Sequence, residues 1–127
     1  MDYSYQLYSA RNEASLDDTL KTLKSLGYAQ VEGWGGQFAD PAALAASVKN
    51  AGLIMPTAHM GMDQLMKTDE ALRIADAVGV KTAFCPAPLS SHYREGTGDW
   101  SKLAADLGKV ADAFAAAGKG FGYHNHH

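Results

Sequence analysis

The sequence is poor in the residues that would point away from an ordinary globular interior. It has one cysteine and four prolines in 127 residues. A lone Cys85 cannot close an internal disulfide, so secretion into an oxidising compartment gains no support. Basic residues are not in surplus: 11 Lys and Arg stand against 14 Asp and Glu, a net charge of −3. That balance provides no electrostatic footprint for nucleic acid or for an anionic membrane. No apolar run approaches the roughly 20 residues of a membrane span. The opening Met1-Asp2-Tyr3-Ser4 has neither the basic nor the apolar region of a secretory signal. There is no Walker motif, no HExxH and no CxxC. The expected setting is cytoplasmic, with neither nucleic acid nor membrane as partner.

What is present is a repeated phrase. A helix-like segment runs into a glycine and then an apolar stretch at Gly27-Tyr28, Gly52-Leu53, Gly79-Val80 and Gly118-Lys119. Glycine favours the left-handed conformation just past a helix end, because it has no Cβ to clash there. Apolar residues directly after such a stop signal a chain turning back into a buried strand. A hydrophobic fraction of 46% can build a core, and this length predicts a single domain over residues 1–127. The expected class is α/β, a series of parallel βα units with about five strands and four helices.

The predicted strands are Tyr3 to Tyr8, Ala29 to Trp34, Leu53 to His59, Lys81 to Cys85 and Gly120 to His126. Pro56 counts against the third, since proline lacks a ladder N–H. Ser15 and Asp40-Pro41 read as helix starts, with stripes of Leu16, Leu20 and Leu23 and of Leu44 and Val48. A third helix opens at Thr68 or Asp69, with Leu72, Ala75 and Val78 inward. A long loop, Pro86 to Gly98, precedes a fourth helix capped by Asp99 and striped by Leu103, Leu107, Val110 and Phe114.

In such a fold the carboxyl ends of the strands collect the chemistry, and the polar residues gather there. Glu32 lies near the end of strand two, His59 ends strand three, and His124, Asn125 and His126 end strand five. Period two puts His124 and His126 on one face. Two imidazoles there can bind a metal, move a proton or hydrogen-bond a hydroxylated ligand. The alternative is a satisfied polar cluster, or terminal histidines without a role. Glu32 implies a partner or a wet pocket, because an unpaired buried carboxylate is costly, or else it sits at the rim in solvent. His59 reads equally as a core histidine. Arg94 and His92 are loop residues, and Arg94 can clamp an anion such as phosphate. Trp34 and Trp100 can wall a sugar pocket or simply fill core. Cys85 reads as a small buried hydrophobe, and Gly33-x-Gly35-Gly36 is a poor phosphate cradle.

The motifs also resemble a family. Tyr123-His124-Asn125-His126 at the end of a fifth strand is similar to the YHNH motif of the xylose isomerase-like (β/α)8 barrels, the sugar phosphate isomerases and epimerases. Gln6-Leu7-Tyr8-Ser9-Ala10-Arg11 is similar to their QLYSxR opening. The resemblance implies a partial barrel with strand order 1-2-3-4-5, corresponding to the N-terminal half of a fold of about 250 residues. It implies metal-dependent isomerisation or epimerisation of a sugar or polyol. Glu32, His59, His124 and His126 would be catalytic, and Gln6, Tyr8, Trp34, Arg94 and Asn125 would bind substrate. A divalent metal (Mn, Mg, Co or Zn) would be held largely by later strands, with no metal ligand assigned in this chain. The isolated chain is therefore expected to show little or no turnover. Two alternatives remain. One is a small flavodoxin-like binding or signalling module, with order 2-1-3-4-5. The other is a half-barrel that works as a homo-oligomer.

Overall fold

A computed structural model of the chain describes residues 2–86 and 100–125. Five strands alternate with helices: β1 (Ser4–Gln6), α1 (Leu16–Ser25), β2 (Gln30–Trp34), α2 (Pro41–Asn50), β3 (Ile54–His59), α3 (Met62–Leu65), α4 (Thr68–Val78), β4 (Thr82–Pro86), α5 (Trp100–Ala116) and β5 (Gly120–His124). Short 3-10 turns follow β1 at Leu7–Ala10 and β2 at Gly35–Gln37. The four junction glycines all adopt positive φ, and among the described residues no non-glycine does. Ser15 caps α1 by accepting the Asp18 N–H at 3.2 Å. Asp40 caps α2 by accepting the Ala43 N–H at 3.0 Å, with Pro41 at the first helical position.

The sheet order is β1-β2-β3-β4-β5, and every neighbouring pair is parallel. That order overturns the flavodoxin-like alternative, which needs β1 between β2 and β3. The helices also pack on one another in sequence, α1 against α2, α2 against α4 and α4 against α5.

The two faces of the sheet differ sharply. Val31, Ala58, Ala83 and Cys85 point outward beneath the helices and are fully buried. Gln6, Glu32, Thr57, His59, Thr82 and Phe84 alternate with them on the inner face and are only half-buried. Leu20, Leu44, Val48, Ile74, Val110 and Phe114 supply the helical side of the core. On α5 the stripe contains a charge: Asp106 is buried and held by Lys102 at 2.5 Å and Lys109 at 3.3 Å, while Leu107 is partly exposed. Pro56 does not end β3. The register instead slips by one residue between Gln30↔Ile54 and Glu32↔Thr57, a bulge placed where proline cannot donate a ladder bond.

Two expectations need correction. The first strand stops at Gln6 rather than Tyr8, because the chain turns to bury Leu7 in the core. Tyr8 therefore lies in the turn that follows β1 rather than on the strand. The fifth strand ends at His124 rather than His126. Helix α3 was not foreseen. Among the described residues no helix is long and apolar enough to cross a membrane. The long loop, with His92 and Arg94, the cap Asp99, and His126 lie outside the described residues.

Phe114 is fully buried and packs on Phe121 with ring centroids 5.9 Å apart. Phe114→Ala should cost about 3–5 kcal/mol in urea unfolding, whereas Leu26→Ala, at a site 70% exposed, should stay within about 0.5 kcal/mol. Cys85 is buried beside Met62, and desolvation pushes its thiol up to about 11. The folded thiol should thus resist a thiol reagent at pH 8 and react on unfolding. A native thiol that titrates late leaves the unfolded state holding fewer protons above its own, lower pKa. Cys85 should therefore cost stability as pH rises from about 9 toward 11. Reagent kinetics and unfolding at several pH values check both expectations.

Candidate functional site at the carboxyl edge

Parallel pairing in chain order brings the strand ends to one rim. Gln6 pairs with Glu32 across β1 and β2, and Trp34 with His59 across β2 and β3. His59 pairs with Phe84, and Pro86 with His124. The side chains converge accordingly. Gln6 donates from Nε2 to Glu32 Oε1 at 2.8 Å. His59 Nδ1 lies 2.9 Å from the same oxygen and 3.2 Å from Gln6 Nε2. The His59 and His124 rings meet edge to face, centroids 4.9 Å apart. Phe84 lies on another side of His59 at 5.8 Å.

These distances select a tautomer. With Glu32 ionised, an unprotonated Nδ1 would set its lone pair against the carboxylate. A protonated Nδ1 donates to it instead. Gln6 and His59 then both donate to one carboxylate oxygen, and that shared acceptor is why their nitrogens sit close together. The proton on Nδ1 makes Nε2 the ring nitrogen that exchanges protons, the relation by which a carboxylate orients a histidine in many active sites. The His59 and Glu32 side chains are 13% and 17% exposed, so this network lies in the wall of the bowl with limited contact to water. A half-buried carboxylate supplied with two donors avoids the penalty of an unpaired charge.

The other expected residues fall around this cluster. Tyr8 and Trp34 pack edge to face, centroids 5.3 Å apart, and the Arg11 guanidinium covers the Tyr8 ring at 4.2 Å. Trp34 is half-buried, and its indole N–H is buried with no partner among the described residues. Asn125 directly follows β5 and is exposed. Arg94 and His126 lie outside the described residues. The glycines in and just after β2 make room rather than cradle an anion: side chains at 33, 35 and 36 would collide with Met55, Gln64 and Trp34.

Two contributors escaped sequence reading. Phe84 lies beside His59 on the inner face, and the alternation of Thr82 and Phe84 with Ala83 and Cys85 along β4 was a usable signal. Gln64 on α3 ties two loops of the rim together, donating to Gly35 O at 3.1 Å while accepting from Gly61 N at 3.2 Å. Nothing in the pattern marked that short helix. Two cavities lie away from this cluster. One of about 420 Å³ opens between α1 and α2, lined by Arg11, Leu16, Trp34 and Asp40, and one of about 480 Å³ flanks α1 beside Tyr5. Neither contains Glu32, His59 or His124. The polar cluster sits at the strand ends on the inner face of the sheet, whereas these crevices flank α1.

No family model matches the sequence, and neither does any curated protein. Solved structures do. An AP endonuclease, family 2, from Brucella melitensis superposes with a TM-score of 0.75 at 18% identity, covering 97% of this chain and 55% of that one. The probable 3-DHS dehydratase AsbF, involved in petrobactin synthesis, from Bacillus anthracis superposes at 0.67 with 13% identity, covering 95% and 51%. Both have the xylose isomerase-like fold.

The chain has the parallel βα-barrel fold of these two structures.

It spans about half the length of the structures it matches. At these identities the likeness concerns fold, and the two proteins' activities differ from each other. As to metal, no three His, Cys, Asp or Glu side chains among the described residues converge as a ligand set. Glu32 Oε1 already faces two N–H donors, and His59 Nδ1 is turned toward it. The described residues alone thus do not make up a ligand set for a divalent ion.

The tautomer is open to measurement. Long-range proton–nitrogen NMR at neutral pH should find His59 protonated at Nδ1, with that proton slow to exchange. Glu32→Gln should expose it to fast exchange.

Proposed function

We propose that the bowl binds a small polyhydroxylated substrate, a sugar or polyol, and supports proton transfer between its neighbouring carbons, as in an isomerase or epimerase of this fold. The observation carrying this reading is the Gln6–Glu32–His59 network with His124 against it, on the rim where parallel βα folds place their chemistry. In this reading His59 moves the proton at Nε2, Glu32 orients it, and Gln6 fixes Glu32. His124 and Asn125 hydrogen-bond substrate hydroxyls, and Tyr8 with Trp34 forms an apolar flank for a sugar face. Arg94 and His126 keep the roles their sequence suggests, an anion clamp and a further imidazole. Mn, Mg, Co or Zn belongs to the family resemblance, and no step proposed here runs through it. A net charge of −3 favours a small polar substrate over a nucleic acid.

A panel of sugars, sugar phosphates and polyols titrated into the labelled chain tests this reading. Shift changes should centre on Gln6, Glu32, His59 and His124. Glu32→Gln and His59→Ala should weaken binding about ten- to a hundredfold, the range for losing a hydrogen bond to a charged group. Changes confined to the crevice between α1 and α2, or none with any compound, would sink the proposal. Turnover by the chain alone should be slight in an isomerase assay run with and without added divalent metal. Robust turnover would mean that its own residues suffice.

A second reading concerns assembly. Among the described residues β1 pairs only with β2 and β5 only with β4, so two strand edges present unpaired backbone groups, a template for association. Tyr3, Leu26, Trp100 and Tyr123 are large exposed hydrophobic side chains on β5 or in segments next to β1 or β5. Two copies pairing through these edges would explain them. Sedimentation should then show a concentration-dependent dimer, and a monomer at high concentration would count against it.

A further inference from the structure

We infer that Gly122 is a positioning residue for His59, acting through Phe84. The inner face of β5 reads Gly120, Gly122, His124, so two of its three side chains are missing. Phe84 is the register partner of both His59 and Gly122. A Cβ built at Gly122 would lie 2.8 Å from both Cδ1 and Cε1 of the Phe84 ring. The ring therefore leans over bare backbone, and no side chain at 122 fits while it stays there. Its neighbour on the other side is the His59 ring, centroids 5.8 Å apart. His59 is thus bounded by Phe84, by His124 at 4.9 Å and by Glu32 at 2.9 Å.

A methyl group at 122 has to displace Phe84. The backbone of β4 cannot retreat, because Ala83 and Cys85 are fully buried behind it. The ring moves instead along its row toward His59 and disturbs the 2.9 Å contact with Glu32. Gly120 offers the contrast on the same strand and face. A Cβ there would meet the Thr82 side chain, at 2.6 Å from Oγ1, one row away from His59. The functional weight of the inference rests on the proposal that His59 moves a proton, but the positioning itself does not.

The experiment follows the slowly exchanging Nδ1 proton of His59 in the labelled 127-residue chain. It should persist in the parent protein, in Gly120→Ala and in Phe84→Ala. It should be lost in Gly122→Ala and return in the double variant Gly122→Ala with Phe84→Ala. A folded Gly122→Ala that keeps the proton overturns the inference, and so does a loss that persists after Phe84 is truncated. Should Gly122→Ala fail to fold, Phe84→Trp crowds the same contact from the other side. It should also lose the proton, and keeping it overturns the inference. Polyol titration in parallel separates the two ideas: a lost Nδ1 proton with unchanged binding upholds the positioning and counts against the proposed function.

Discussion

Parallel pairing of consecutive strands puts residues from distant parts of the sequence at one height on one rim, and the site depends on that register. Gln6, Glu32 and His59 come from three separate βα units, yet the ladder sets Gln6 opposite Glu32 and Trp34 opposite His59. A one-residue slip would turn a whole strand's inner side chains into the core. The real slip, between Gln30 and Glu32 opposite Pro56, has the opposite effect. It absorbs an extra residue of β3 and leaves both Met55 in the core and His59 on the inner face. The proline that weakens β3 as a sequence signal is thus compatible with the alignment of its end.

The same ladder divides the sheet into a buried and a half-open side. Outward residues are small or apolar and fully covered, whereas inward residues include a carboxylate, an amide, imidazoles and threonines. A parallel sheet normally has both faces covered, and here the inner cover is incomplete among the described residues. The half-buried Glu32 carboxylate is instead supported by the two donors on its Oε1. Removing either donor leaves the charge in the same half-buried place with less to hold it.

Much of the scaffold could be read from the chain, because local chemistry dictates it. Ser15, Asp40 and the four glycines act through their own backbone neighbourhoods, and a single sequence displays them. The strand order followed from the family resemblance rather than from any local signal. Features set by tertiary contact were harder to read. Tyr8 continues an alternating pattern, but burial of Leu7 outweighs the pattern and ends β1 two residues early. Helix α3 is four residues long and tied down by Gln64, so it has no period to detect. For the site, the positions of Glu32, His59 and His124 near strand ends were legible. Their mutual distances were not, since those follow from register and bulge.

The glycines show how position decides what a residue type means. At the helix ends glycine supplies a left-handed turn. In and just after β2 it clears space for Trp34, Gln64 and Met55, and on β5 for Phe84 and Thr82. The inner face of β5 is therefore shaped by side chains of β4 that lean across it. His124 stands at the end of that strand, and its ring meets His59 edge-on. Bulk at 122 would instead collide with the Phe84 ring. The ring contact thus joins β3 and β5, which are not neighbours in the sheet, over the inner face of β4.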